Sequence, residues 1–246
     1  MEIKKIGAAT LYRGDCLKVM ATLPAESVDI VITDPPYSSG GMTAAERSRN
    51  TQSKYVTSDT KKRCVNFSGD NRDQRSYLIW STLWMGSAMS TLKPGGIFAT
   101  FTDWRQLPIT TDAVQATGFV WRGVGVWAKK TARPQIGRYT NQCEYVVWGT
   151  KGDRPLVGKT APGVVFASYP PSAKRQHITE KPIEVCEWLL SVTNEGDTVL
   201  DPFMGSGSLG VACRQLGRQY IGIELDAHYF GGDCPARKTG LEICRP

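Results

Sequence analysis

The sequence is short of the residues that usually mark metal centres. It has only two histidines, His177 and His228, and its seven cysteines (Cys16, Cys64, Cys143, Cys186, Cys213, Cys234 and Cys244) never fall as C-x-x-C. That spacing excludes a zinc finger or ribbon, and an odd, scattered set makes no disulfide framework, so the thiols are read as buried and reduced and no metal is expected. Missing too is any apolar run approaching the roughly 18 residues of a membrane span. The opening stretch MEIKKIGAATLYRGD contains no apolar core of signal-peptide length. The expectation is a cytoplasmic protein that does not contact membranes.

Acidic charge is also in deficit. Thirty Lys and Arg face twenty-three Asp and Glu, a net charge of +7, and the isoelectric point is about 9.0. A basic surface attracts polyanions through phosphate neutralisation and counterion release, which makes nucleic acid the first partner to consider; plain solubility is the alternative. With 246 residues, 41% of them hydrophobic, the chain suits a single α/β domain over 1–246. Composition leaves monomer and homodimer equally open.

Strand and helix patterns alternate along the chain. A short apolar segment ends at Arg13-Gly14-Asp15, and Cys16 to Leu23 has helical spacing up to Pro24. Val28 to Thr33 is rich in β-branched residues and runs as a strand into Asp34-Pro35-Pro36. Residues 38–75 are polar and irregular. Ser76 to Leu92 reads as a helix with Leu78, Trp84, Ala88 and Leu92 near one face, ended by Lys93-Pro94-Gly95-Gly96. Ile97–Phe101, Phe119–Ala128, Glu144–Trp148, Thr198–Leu200 and Tyr220–Ile223 read as strands. A helix is expected from Pro182 to Val192, with Thr179 as its cap, after a second irregular stretch from Thr150 to Gln176. Alternation of this kind predicts a doubly wound, mostly parallel sheet.

Two segments carry chemistry. Asp201-Pro202-Phe203-Met204-Gly205-Ser206-Gly207-Ser208 follows a strand, and with Gly210 it also satisfies G-x-G-x-x-G. Such a turn lets backbone approach a ligand, and Glu224 stands at the distance where nucleotide-binding folds place an acid on the ribose. The other reading is an ordinary strand-to-helix turn. Asp34-Pro35-Pro36-Tyr37 likewise is either a turn or a catalytic element.

Together these segments resemble the amino-methylating DNA methyltransferases, in the order of the β group, where DPPY precedes the cofactor segment. The resemblance extends to Gly14-Asp15-Cys16-Leu17 and to His177-Ile178-Thr179-Glu180-Lys181-Pro182, where Ile178 stands in place of the family's frequent proline. It implies a Rossmann-like fold with a circularly permuted motif order and S-adenosylmethionine (SAM) as cofactor. Asp201, Phe203, Gly205, Ser206 and Gly207 would lie beside the methionine moiety and Glu224 at the ribose. Asp15 and Cys16 would flank the adenine, and His177, Thr179 and Lys181 would lie near the methionine carboxylate, with Asp34 where cofactor and base meet. Asp15 is equally suited to cap the helix after it, and His177 to Pro182 to cap the helix that follows.

The chemistry of DPPY follows from the amine itself. An exocyclic amino nitrogen is planar and weakly nucleophilic because its lone pair is delocalised into the ring. An Asp34 carboxylate and a Pro35 carbonyl that each accept one N–H draw it toward tetrahedral geometry; Pro36 restricts the backbone and Tyr37 offers a stacking face for a flipped base. Adenine N6 is favoured because the family's adenine enzymes commonly carry Asp at the position of Asp34, with cytosine N4 as the alternative. A nicotinamide-dependent oxidoreductase and a silent DNA-binding module are rivals of other classes. The basic residues Arg47, Arg49, Lys54, Lys61, Lys62 and Arg63, then Lys129, Lys130, Arg133 and Arg138, and finally Lys174 and Arg175 are the candidate DNA contacts. They define 38–75 and 129–176 as candidate recognition insertions. After Tyr229, the run Phe230-Gly231-Gly232-Asp233-Cys234-Pro235 argues against a long terminal helix.

Overall fold

A computed structural model describes residues 1–37, 71–132, 136–156, 158–168 and 181–231. Arg47, Arg49, Lys54, Lys61, Lys62, Arg63, Arg133, Lys174, Arg175, His177 and Thr179 lie outside them, as does everything after Gly231.

The described strands are β1 (Glu2–Ile6), β2 (Ala9–Arg13), β3 (Val28–Thr33), β4 (Leu92–Thr102), β5 (Val120–Lys129), β6 (Cys143–Thr150), β7 (Val164–Ala167), β8 (Thr198–Asp201) and β9 (Gln219–Glu224). They form one sheet in the order β1-β2-β9-β8-β3-β4-β6-β5-β7. Its centre, from β2 through β9, β8 and β3 to β4, is parallel, whereas β1 and the β4-β6-β5 pairings are antiparallel. The β1-β2 hairpin pairs with β9, the last strand among the described residues, so segments about 200 residues apart in sequence are neighbours in the sheet. This is the geometry of a permuted doubly wound fold.

Alternation along each strand builds two cores. On one face Ile30, Ile32, Val199, Ala99 and Val146 pack against α4 (Ile183–Leu190) and α5 (Ser208–Gln215), with Phe230 of α6 (Ala227–Gly231). On the other, Val31, Leu200, Phe98 and Val147 meet α1 (Cys16–Met20), α2 (Gln74–Thr91) and α3 (Leu107–Ala116). Successive side chains of a strand point to opposite faces, so a strand buried on both sides reads as a continuous apolar run.

Three expectations change. The strand read from Ile97 begins earlier: α2 stops at Thr91 and Leu92 to Gly96 open β4, where the register shifts between the Val28↔Leu92 and Ile30↔Ile97 pairs. Gly95 absorbs the irregularity at φ 74°. Pro182 is the N-cap of α4 rather than its first residue, and among the described residues no side chain caps that helix. The interval 129–176 is not wholly external to the sheet, because β6 and β7 fall within it. No helix among the described residues is long and apolar enough to cross a membrane.

Candidate active site

Asp34 to Tyr37 leave the carboxyl end of β3, and Asp201 to Ser206 leave that of the neighbouring strand β8. Ligands of open α/β sheets bind at this edge because the strands and the helix amino ends converge there. One cavity of about 440 Å³ spans both segments; Asp15, Cys16, Asp34, Tyr37, Phe203 and Glu224 are among its lining residues.

At the cofactor half, Glu224 lies at the end of β9. Its carboxylate accepts the Gly205 N–H at 2.9 Å and the Asp226 N–H at 2.8 Å, which ties the glycine turn to the strand beside it. Each carboxylate oxygen has two lone-pair directions, so both retain capacity toward the cavity. Gly207 caps α5 in the left-handed region at φ 82°, where a side chain would be strained. Gly210 is needed for contact, since a Cβ there would lie 2.8 Å from the Tyr220 ring.

Asp201 faces inward. Its carboxylate accepts from the Thr33 hydroxyl at 2.8 Å, the Phe203 N–H at 3.1 Å and the Tyr220 hydroxyl at 3.2 Å. It therefore braces β3, β8 and β9 around the turn, and it also borders the cavity where the sequence reading places the methionine moiety. Burial pushes its pKa up to about 7 despite the three donors. A carboxyl raised from 3.8 in the chain at large to about 7 in the fold stabilises fully below about pH 4, and that contribution is lost as pH rises through about 7. Asp201→Asn keeps the Thr33 and Phe203 bonds through one oxygen and lets the Tyr220 hydroxyl rotate to accept. Its stability relative to wild type should rise from about pH 4 to 7, by at most about 1.4 kcal/mol per pH unit, and then level off. Urea unfolding at several pH values measures this; a constant difference between the two proteins would show that Asp201 does not titrate there.

Asp15 caps α1, accepting from Leu17 N–H at 3.1 Å and Lys18 N–H at 3.3 Å, while it also borders the cavity. Burial pushes the Cys16 thiol up to about 12, so the group is a neutral lining.

The side of the cavity formed by Asp34 to Tyr37 is organised by charge. The Lys181 ammonium, 7% exposed, lies 2.5 Å from Asp34 Oδ2 and 3.3 Å from Glu144 Oε2. Burial alone would lower its pKa, but the Asp34 and Glu144 carboxylates carry it above the ordinary value. The family resemblance implies a methionine carboxylate as the partner of Lys181; in the structure its ammonium is engaged by these two protein carboxylates. Lys129, a candidate DNA contact, is bound to Glu144 at 2.9 Å and largely buried. Lys130 and Arg138 are exposed.

Arg72 and Trp80, which line the cavity, and Glu144 behind it were not singled out as site residues from the sequence. Trp80 lies tilted against Phe203 with ring centroids 5.4 Å apart, Trp84 meets Phe203 edge-on at 5.1 Å, and the Arg72 guanidinium lies 3.9 Å over Trp80. The available signal was a pair of tryptophans one helical turn apart, which also fits plain core packing. Glu144 had a sharper one: it shares the strand phase of buried Val146, where a carboxylate needs partners. Among the described residues, no group of three His, Cys, Asp or Glu could hold a metal ion. Cys16, Cys143, Cys186 and Cys213 are free thiols.

Comparison with known proteins places this geometry. YubD of Escherichia coli (strain K12) is 34% identical over 219 residues, covering 88% of this chain and 85% of YubD. The type II methyltransferase M2.DpnII of Streptococcus pneumoniae is 28% identical over 241 residues, covering 89% and 86%. In fold, the chain is similar to PvuII DNA methyltransferase, a cytosine-N4-specific enzyme, with TM-score 0.71 and 18% identity over 99% of this chain and 92% of that one. It is also similar to M1.HpyAVI, solved in complex with SAM, with TM-score 0.63 and 23% identity over 95% and 100%. The DNA methylase family model of N6 and N4 enzymes matches residues 28–231, from the first residue of β3 to the last of α6, and the chain belongs to that DNA methyltransferase family.

Proposed function

We propose that this chain transfers the methyl group of SAM to adenine N6 in double-stranded DNA, on a base flipped out of the helix. The observation that carries the reading is that Asp34 and Glu224 open onto the same cavity, so an acceptor for the target amine and an acceptor for the cofactor's ribose share one space in which methyl donor and base can meet. The residues fit SAM: Glu224 suits the ribose hydroxyls, and the Gly205–Gly207 turn leads into the amino end of α5, where backbone N–H groups suit a carboxylate. When bound, SAM supplies a methyl carbon on a positively charged sulfur that departs as a neutral thioether.

The protein's own part is to bind, orient and accept. Asp34 and the Pro35 carbonyl accept the two amino N–H groups and turn the nitrogen lone pair toward the methyl carbon; Asp34 then stands where the proton displaced by the new N–C bond is shed. Tyr37 stacks on the base, a contact worth about 1–3 kcal/mol. Adenine is preferred over cytosine because Asp occupies the first position of the motif. Mass spectrometry of nucleosides from DNA incubated with SAM and the protein tests it: N6-methyladenine is expected, and N4-methylcytosine alone would overturn the choice of base. An oxidoreductase reading gives DPPY no task, and a silent binding module leaves the acceptor pair unused.

The DNA face is proposed at the same sheet edge, as part of one domain. The connection after Lys129 leaves β5 there and returns at Cys143, and DPPY ends beside it. Lys130→Ala and Arg138→Ala should each weaken binding to any duplex and reduce the slope of log K against log salt by about 1. Fluorescence anisotropy at several salt concentrations reads this, and slopes equal to wild type would remove both residues from the phosphate contacts.

A further inference from the structure

We propose that Glu144 is a positioning residue of the methyl-transfer site, holding Tyr37 and Lys181 so that Asp34 presents its carboxylate to the target amine. Glu144 sits near the start of β6, opposite Trp127 of β5, and only 6% of it is exposed. Its Oε1 meets Lys129 at 2.9 Å, and its Oε2 receives Lys181 at 3.3 Å and the Tyr37 hydroxyl at 3.4 Å. Lys181 in turn holds Asp34 at 2.5 Å. Carboxylate and ammonium groups thus alternate from Asp34 through Lys181 and Glu144 to Lys129.

The alternation has a purpose at Asp34. A buried ammonium with a single anion draws that anion's electron density wholly to itself, whereas two carboxylates divide its field. With Glu144 ionised, Lys181 orients Asp34 without exhausting it as an acceptor. The Tyr37 hydroxyl is fastened to the same carboxylate, so the stacking ring and the acceptor are set from one point. Glu144 touches neither base nor methyl group; it acts through Tyr37 and Lys181.

The inference rests on the acceptor role proposed for Asp34, so Asp34→Ala is measured beside Glu144→Gln and Glu144→Asp. Single-turnover methylation at saturating SAM and DNA is followed from pH 6 to 10 on the full chain, with SAM binding by calorimetry. Glu144→Gln should slow the step about 10- to 100-fold, with SAM and DNA affinities within about threefold of wild type. It should also bring the alkaline limb, which in the wild type lies above this range, down into it, because Lys181 loses one of the two carboxylates that keep it protonated. The charged and titratable groups around this pair are Asp34 and Tyr37 after β3, Lys129 of β5, Asp103 after β4, and Cys186 of α4. Glu144→Asp preserves the charge and should restore the alkaline limb. Wild-type rate and profile in Glu144→Gln would overturn the proposal, as would a slower rate accompanied by equal loss of SAM binding and an unmoved profile. Full activity in Asp34→Ala would instead refute the acceptor reading itself.

Discussion

Asp34→Ala is expected to slow methyl transfer on the order of 10³-fold while leaving the SAM dissociation constant within about threefold. Asp34 is one of the two acceptors proposed for the amine, and a planar amino group needs such acceptors to direct its lone pair. The loss therefore falls on the chemical step. The fold should tolerate it: Lys181 retains Glu144 at 3.3 Å, so the truncation strands no unpaired buried ammonium. Single-turnover transfer of labelled methyl, with calorimetry of SAM binding, makes the comparison. A rate within tenfold of wild type would show that Asp34 is not the acceptor.

The opposite pattern is expected at Glu224. Glu224→Ala removes the proposed ribose acceptor and also the anchor of the Gly205 and Asp226 N–H groups, loosening the turn as well as the contact. Two hydrogen bonds to a charged group, partly replaced by water, correspond to about 100-fold in affinity, near 2.7 kcal/mol. SAM binding should weaken by about that factor, while the rate at saturating SAM falls much less and duplex affinity is unchanged. Glu224→Gln exchanges one acceptor oxygen for a donor, so it opposes one backbone N–H and should fall between alanine and wild type. Unaltered SAM affinity in Glu224→Ala would place the ribose elsewhere in the cavity.

These two residues were legible in the sequence for a local reason. A β-branched run ending in Asp-Pro-Pro-Tyr, and another ending in Asp-Pro-Phe before a glycine turn, state their geometry within about ten residues, since proline and glycine limit the backbone wherever they stand. The strands were legible too, because Val28 to Thr33 and Thr198 to Leu200 are apolar on both faces as a sheet between two helix layers requires. By contrast, the strand that follows the helix was read from Ile97 although it begins at Leu92. A Pro-Gly-Gly run looks like a loop, and only pairing with β3 draws Leu92 and its successors into β4.

Asp201 shows where the boundary lies. Its place at the end of β8 follows from the sequence; that it turns inward, to Thr33 168 residues away and to Tyr220, is a consequence of strand order. Lys181 and Glu144 belong wholly to the second kind. Nothing near either residue names its partner, and the pair Lys181–Asp34 spans 147 positions. The sequence by itself determined two motif-bearing strand ends and hence a methyl-transfer family with a permuted order. Only the tertiary structure decided which charges stand against Asp34, because Coulomb interaction depends on distance in space and on burial, and neither is written in the spacing of residues along a chain.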